Sequence, residues 1–323
     1  MGMAIRAVTS AAVVFLGYSC AVAFRGPLLT TRPPVSRGRV DVPQVDIRVD
    51  ASLVLIPVHV TTADGASVTN LPKESFRLFE DNVEQKITYF AKDDAPISLG
   101  LLLDTSGSMR NKMRRSTEAA ATFFQTANPE DEFCLIEFND RPKLTVPFTN
   151  DPDEIYRRVA HAHPYGHTSL LDAVHLASVK MKNARNTRKA ILIVSDGGDN
   201  RSRLTARQVK SDVLESDMQI YAIGIFDDDV AEKRMPEERN GPGLLEDLSE
   251  VTGGRHYRVD NLDQLASAAA RISNDLRNEY LLGYSSMNRE RDGKYRKVKV
   301  NVNSTASGKL NTYYRRGYYA PVE

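Results

Sequence analysis

Cysteine is nearly absent from this chain of 323 residues: there are two, Cys20 and Cys134. Cys20 falls in an N-terminal stretch that reads as removable. The one remaining thiol cannot close an internal disulfide, so a disulfide-stapled fold is excluded. Cys134 lies inside the apolar run Phe133-Cys134-Leu135-Ile136, where a small buried hydrophobe is expected rather than a reactive nucleophile. An excess of one charge is missing too. The 43 basic and 42 acidic side chains leave a net charge of +1. A polyanion-binding protein carries a basic surplus, so nucleic acid is not an expected partner. What is present, 41% hydrophobic and 26% charged residues, is ordinary for a globular protein and sufficient for two domains or one large one.

The long hydrophobic run is N-terminal. Arg6 precedes a nearly uncharged stretch from Ala7 to Ala23 that closes on Ala21-Val22-Ala23, the order of n-region, h-region and small-x-small cleavage site. Residues 1–23 are read as a signal peptide. The alternative is an uncleaved anchor, because the stretch approaches the ~18 residues that can span a bilayer. Gly17, Ser19 and the Ala-Val-Ala close argue for cleavage, and Tyr18 breaks the small-residue pattern that lipid attachment at Cys20 would need. Either way the folded part is expected to be secreted, periplasmic or in the cell envelope, with no membrane span after cleavage.

Residues 24–43 are Pro- and Arg-rich without a hydrophobic period and read as a linker. Residues 44–96 then alternate like strands: Val45 to Val49, Leu53 to Val60, Phe76 to Glu80 and Ile87 to Phe90, with turns at Asp64-Gly65 and Asp81-Asn82. After Pro96 the texture changes. Ile97 to Leu103, Phe133 to Phe138, Ala190 to Val194 and Ile220 to Phe226 are short apolar runs, as in strands buried on both faces of a parallel sheet. Between them lie helical patterns over Met109 to Ala127, from a capping box Ser169-Leu170-Leu171-Asp172, from a second box Thr205-x-x-Gln208, and from Asn261 toward Asn278. The expected fold is α/β, a doubly wound, mostly parallel sheet. Residues 279–323 return to strand texture: Tyr280 to Tyr284, a turn at Asp292-Gly293, Tyr295 to Val302 with its valines on one face, and Tyr313 to Tyr319. Two or three strands are marginal alone. They are expected to pair with residues 44–96 in a small β-sandwich into which residues 97–278 are inserted, the rival being a separate C-terminal hairpin.

The run Leu101-Leu102-Leu103-Asp104-Thr105-Ser106-Gly107-Ser108-Met109 ends an apolar strand in Asp-x-Ser-x-Ser. One carboxylate and two hydroxyls on a tight turn are oxygen-only donors of low charge, suited to a hard divalent cation that keeps an open position. Thr168, in His167-Thr168-Ser169, and Asp196, in Ser195-Asp196-Gly197-Gly198, occupy equivalent places. In a doubly wound sheet, Asp104, Ser106, Ser108, Thr168 and Asp196 would converge beyond the carboxyl ends of the strands. The alternative is that Asp104 to Ser108 is only a helix-capping turn.

Enzymatic readings fail on residue type. An Asp-x-Asp phosphotransfer loop needs a carboxylate where Ser106 stands. A nucleophile elbow needs Gly-x-Ser-x-Gly, and an aspartic protease needs a second Asp-Thr/Ser-Gly loop that Ser195-Asp196-Gly197-Gly198 does not supply. No nucleophile–base pair is visible at any loop, so no catalytic residue is assigned. The five residues resemble the metal-ion-dependent adhesion site (MIDAS) of von Willebrand factor type A domains. The resemblance covers about residues 97–278. Its flanks, Leu78 to Asp81, Leu276 to Tyr284 and Arg315 to Tyr319, are similar to an exported bacterial "VWFA-related" family. That resemblance implies Mg2+, with Mn2+ or Ca2+ as alternatives, held by Asp104, Ser106 and Ser108 as the first loop, Thr168 as the second and Asp196 as the third. It also implies a protein ligand whose acidic residue takes the open position, in adhesion or envelope complex assembly without catalysis. The second loop departs from the family's usual Gly-Gly-Thr, since His167 stands beside Thr168.

Weaker clusters have plainer explanations. His161, His163 and His167 lack a zinc-ligand spacing and read as loop histidines. Asp227-Asp228-Asp229 reads as a solvated acidic turn. Tyr313, Tyr314, Tyr318 and Tyr319 fit alternating strand positions as well as a binding surface. The second functional class left open is a structural envelope protein in which the metal only tightens a loop.

Overall fold

The computed structural model describes residues 53–93, 95–125, 127–226, 241–303 and 308–322. The signal peptide expected at residues 1–23, the linker expected at 24–43, the strand expected at Val45 to Val49 and the acidic turn expected at Asp227 to Asp229 lie outside the described residues.

The chain forms β1 (Leu53–Thr62), β2 (Phe76–Glu80), β3 (Val83–Gln85) and β4 (Tyr89–Asp93) before entering the α/β region at β5 (Ile97–Asp104). There follow α1 (Met113–Phe124), β6 (Glu132–Phe138), β7 (Pro142–Thr149), α2 (Pro152–Ala160), α3 (Leu170–Met181), β8 (Arg188–Ser195), α4 (Ala206–Glu215), β9 (Gln219–Ile225), α5 (Gly241–Thr252), β10 (His256–Val259) and α6 (Leu265–Arg277). The end of the chain adds β11 (Glu279–Ser285), β12 (Tyr295–Val302), β13 (Leu310–Tyr314) and β14 (Gly317–Tyr319).

The central sheet has the order β10-β9-β8-β5-β6-β7, parallel except for β7 at one edge. Its middle strands are buried along their whole length, which is why they read as unbroken apolar runs. Alternate residues serve opposite faces. Leu99, Leu101 and Leu103 pack with α1, α2 and α6, whereas Leu102 packs with α3, α4 and α5. The sheet is therefore doubly wound. From β5 the chain moves out to β6 and β7, then returns to place β8 on the other side of β5. That reversal opens a crevice beyond the carboxyl ends of β5 and β8, where open α/β sheets bind ligands.

The outer strands form two antiparallel sheets, β13-β1-β11-β4 and β14-β12-β2-β3, each built from both ends of the chain. Ile56, Val58 and Val60 of β1, Leu78 of β2, Tyr280 and Leu282 of β11, and Val298 and Val300 of β12 share one core, so the pair is a small sandwich. Glu80, buried in it, accepts hydrogen bonds from Tyr284 and Tyr318 at 2.7 Å each and from Ser286. Burial raises the Tyr318 phenol to about 12, so it stays a donor. The flanking residues that carried the family resemblance thus meet in one hydrogen-bonded cluster. Tyr318 and the buried Tyr314 have structural roles.

Several local expectations change. The helix expected from Met109 begins at Met113, because Gly107–Met109 is a 3-10 turn that carries the loop first. Ser169 is no capping box: the Asp172 N–H that it would cap donates to Ser202 Oγ at 3.1 Å, and Asp172 Oδ1 accepts from the N–H groups of Arg203 and Leu204. Tyr313 to Tyr319 is two strands, broken at Arg315-Arg316. The Thr205–Gln208 box does form, each side chain bonding the other's backbone N–H. Thr205→Ala should lower stability by about 1 kcal/mol, read as a lower urea midpoint with the slope unchanged.

Buried ion pairs lie at the base of the α/β region, and one of them, Arg188 with Glu279, crosses to β11 of the sandwich. Glu279 accepts from Arg188 at 2.8 Å, Gln219 at 2.6 Å and Tyr221 at 3.4 Å. Asp275 accepts from Arg255 at 2.8 Å and from Tyr257. Asp131 accepts from the Ile97 N–H at 2.9 Å and from Arg277.

Candidate metal site

Three loops meet at the crevice. Asp104 is the last residue of β5 and wholly buried. Its Oδ1 accepts the Ser106 N–H at 2.8 Å and its Oδ2 accepts the Ser195 hydroxyl at 2.6 Å, which ties the first loop to the end of β8. The second loop is held to the first by the backbone: Tyr165 N–H donates to Thr105 O at 2.8 Å and Gly107 N–H to Gly166 O at 3.1 Å. Thr168, also buried, has its N–H on Asn200 Oδ1, while its carbonyl accepts from the N–H groups of Asn200 and Arg201. Gly197 turns the third loop at φ +79°, and a Cβ there would stand 2.8 Å from the backbone of Gly241, so this close crossing admits only glycine.

Two carboxylates stand close together at this rim. Burial, then the nearby Asp196, raises the Asp104 carboxyl to about 7, against the opposing hydrogen bonds from Ser195 and Ser106. Asp196 is itself largely buried and lies 3.1 Å from the Lys112 ammonium. Among the described residues no group of three or more His, Cys, Asp or Glu side chains is placed to hold a metal, which leaves hydroxyls to complete any donor set here. Ser106 Oγ and Ser108 Oγ are 3.0 Å apart. That is a hydrogen bond between them, and since neighbouring ligands of a regular octahedron with bonds of about 2.1 Å also lie about 3 Å apart, the two oxygens could meet a small cation with little movement. Asp104, Ser106, Ser108 and Asp196 are thus brought together by direct contacts or charge coupling, and Thr168 through its loop.

Sequence reasoning missed Ser195, Lys112 and Asn200. Ser195 was visible only as the residue before Asp196, and Lys112 as one of several cations opening a helix. Their roles depend on which strand ends become neighbours. His167 is held by Asp140, which packs against Gly166 of the same loop: the His167 N–H and ring Nδ1 each lie 2.9 Å from Asp140 Oδ1. Those hydrogen bonds lower the Asp140 carboxyl below its ordinary range.

Comparison with known proteins bears on the fold that positions these loops. The von Willebrand factor type A domain profile matches residues 99–198. The human inter-alpha-trypsin inhibitor heavy chain H2 is 26% identical over 176 residues, 48% of this chain and 19% of that protein. The pig protein of the same name is 25% identical over 194 residues, 50% of this chain and 21% of its own length. The chain thus spans about a fifth of the curated relatives it matches. Among solved structures, a von Willebrand factor type A protein from Catenulispora acidiphila superposes with a TM-score of 0.50 at 11% identity, over 84% of this chain and 73% of that one. Proximal thread matrix protein 1 from the mussel byssus superposes with a TM-score of 0.50 at 15% identity, over 61% and 51%. Both share the fold. The segment that matches the von Willebrand factor type A model runs from β5 to the turn after β8, and over it the chain resembles that family.

Proposed function

We propose that this chain is an exported binding protein that engages a protein ligand through a divalent cation, in adhesion or in assembly of an envelope complex. Asp104, Ser106, Ser108, Thr168 and Asp196 would hold the ion, Mg2+ by the donor chemistry, and an acidic residue of the ligand would supply the remaining oxygen. The observation that carries the reading is the pair of serine hydroxyls 3.0 Å apart beside a wholly buried carboxylate coupled to a second one. Two carboxylates leave a bound dication near neutral, still attractive to one more anionic oxygen. The domain type generally serves interaction rather than catalysis, and no enzymatic activity is proposed. Export rests on residues 1–23; among the described residues, no helix is long and apolar enough to cross a membrane.

Capture from an envelope extract tests this, with wild-type and Asp104→Ala proteins as baits, in Mg2+ or in EDTA. A partner retained by the wild type in Mg2+ and lost in the other arms is the expected result. Equal capture in every arm by folded baits would overturn the reading.

A further inference from the structure

A cavity of about 690 Å3 opens beside the second loop, walled by Asp140, Arg141, Pro142, Asp172, Arg201 and Arg203. It borders the candidate metal site through two connections. Asp140 holds His167, next to Thr168, and the Arg201 N–H donates to the Thr168 carbonyl at 3.0 Å. Its two carboxylates are already engaged, Asp140 by His167 and Asp172 by the N–H groups of Arg203 and Leu204 at 3.0 and 3.1 Å. Its three guanidinium groups are not. Among the described residues none of Arg141, Arg201 and Arg203 forms an ion pair, although Arg201 helps to hold Asp140 ionised. Many other surface arginines are paired, for example Arg77 with Glu84 and Arg115 with Glu118. A cavity of this size accommodates side chains of a bound segment, and the guanidinium fork matches a carboxylate in two parallel hydrogen bonds. Tyr165, on the same loop and bonded through its N–H to Thr105 O, is 60% exposed, an aromatic side chain of the type enriched where interfaces are anchored.

We propose that this arginine-walled cavity is a second anion subsite, which takes another acidic side chain of the same ligand segment whose first carboxylate reaches the cation loops. The inference deepens the proposed function and rests on it. The partner is then an acidic stretch of protein rather than a lone carboxylate. Three arginines against two aspartates leave the wall one surplus positive charge, enough for a single carboxylate side chain and short of what a polyphosphate chain needs.

Fluorescence anisotropy of a labelled ten-residue glutamate peptide on the full chain tests it. Arg201→Gln with Arg203→Gln should weaken binding roughly tenfold in both Mg2+ and EDTA, since rim charges act whether or not the ion is bound. Asp104→Asn should remove only the part that Mg2+ adds. Unchanged peptide binding by the arginine variant, at an unchanged melting midpoint, overturns the cavity while leaving the cation reading standing. Loss of affinity in the arginine variant with no effect of Mg2+, EDTA or Asp104→Asn keeps the cavity as an anion site and removes the cation reading. No binding of the glutamate peptide, or tighter binding of a labelled single-stranded oligonucleotide, overturns the proposal.

Discussion

In EDTA at neutral pH, Asp104→Asn should melt above the wild-type protein, and the order should reverse when Mg2+ is added. Asp104 is wholly buried, and burial with the neighbouring Asp196 raises its carboxyl to about 7, whereas in the unfolded chain it titrates near 3.9. The folded protein therefore holds this proton more tightly than the unfolded one. Its contribution to stability is present in acid, declines as the pH rises from about 4 to about 7, and is level above that; the total is of the order of 4 kcal/mol. Lys112, 3.1 Å from Asp196, offsets part of the repulsion. Asparagine carries no charge and has no such slope, so the variant should match the wild type near pH 4 and exceed it near pH 7. A cation that binds only the folded protein at a hundred times its dissociation constant adds about 2.7 kcal/mol. The wild type should gain this and the variant should not. Calorimetric melts at two pH values, each with EDTA and with Mg2+, read the effect. An identical Mg2+ shift in both proteins would remove Asp104 from the ion's shell.

Glu279→Ala should be the most destabilising single change, about 3–5 kcal/mol. Glu279 is 3% exposed and joins Arg188, Gln219 and Tyr221 where α6 hands the chain to β11. Truncating it removes the carboxylate from a buried guanidinium that also donates to the Ala95 and Leu276 carbonyls, and takes an acceptor from an amide and a phenol. At roughly 2–4 °C per kcal/mol, the value for large domains, the melting midpoint should fall by about 6–20 °C. Glu279→Gln, which keeps the shape and loses the charge, should fall between the two. A midpoint for Glu279→Ala within a degree or so of wild type would mean that water replaces the carboxylate at no penalty.

The sheet was legible because its strands are buried on both faces: β5, β6, β8 and β9 read directly as apolar runs. What escaped lies at the margins. β7 contains Pro142 and Pro147 and is the half-buried antiparallel edge. α2 buries only Ile155 and Val159, too few for a clear period. α5 opens on Gly241-Pro242-Gly243, which reads as a loop. β10 is four residues at the opposite edge. The candidate site divides in the same way. Asp104, Ser106 and Ser108 share a run of five residues and announce themselves, while Ser195 and Lys112 acquire their partners only when β8 lies beside β5. The arginine cavity joins Arg141 to Arg201 and Arg203 from a distant loop, and no local pattern could have assembled it.

The α/β region both begins and ends at the sandwich, at Ile97 and Arg277, while its candidate ligand rim lies at the far tip of β5, about 25 Å away along eight residues of strand. A partner gripped at that tip would pull lengthwise on β5, which is zipped between β6 and β8. Tension would then be shared by both ladders at once rather than peeling one rung at a time. The same layout that gathers the oxygens at one end makes the middle strand a tether able to resist a tug.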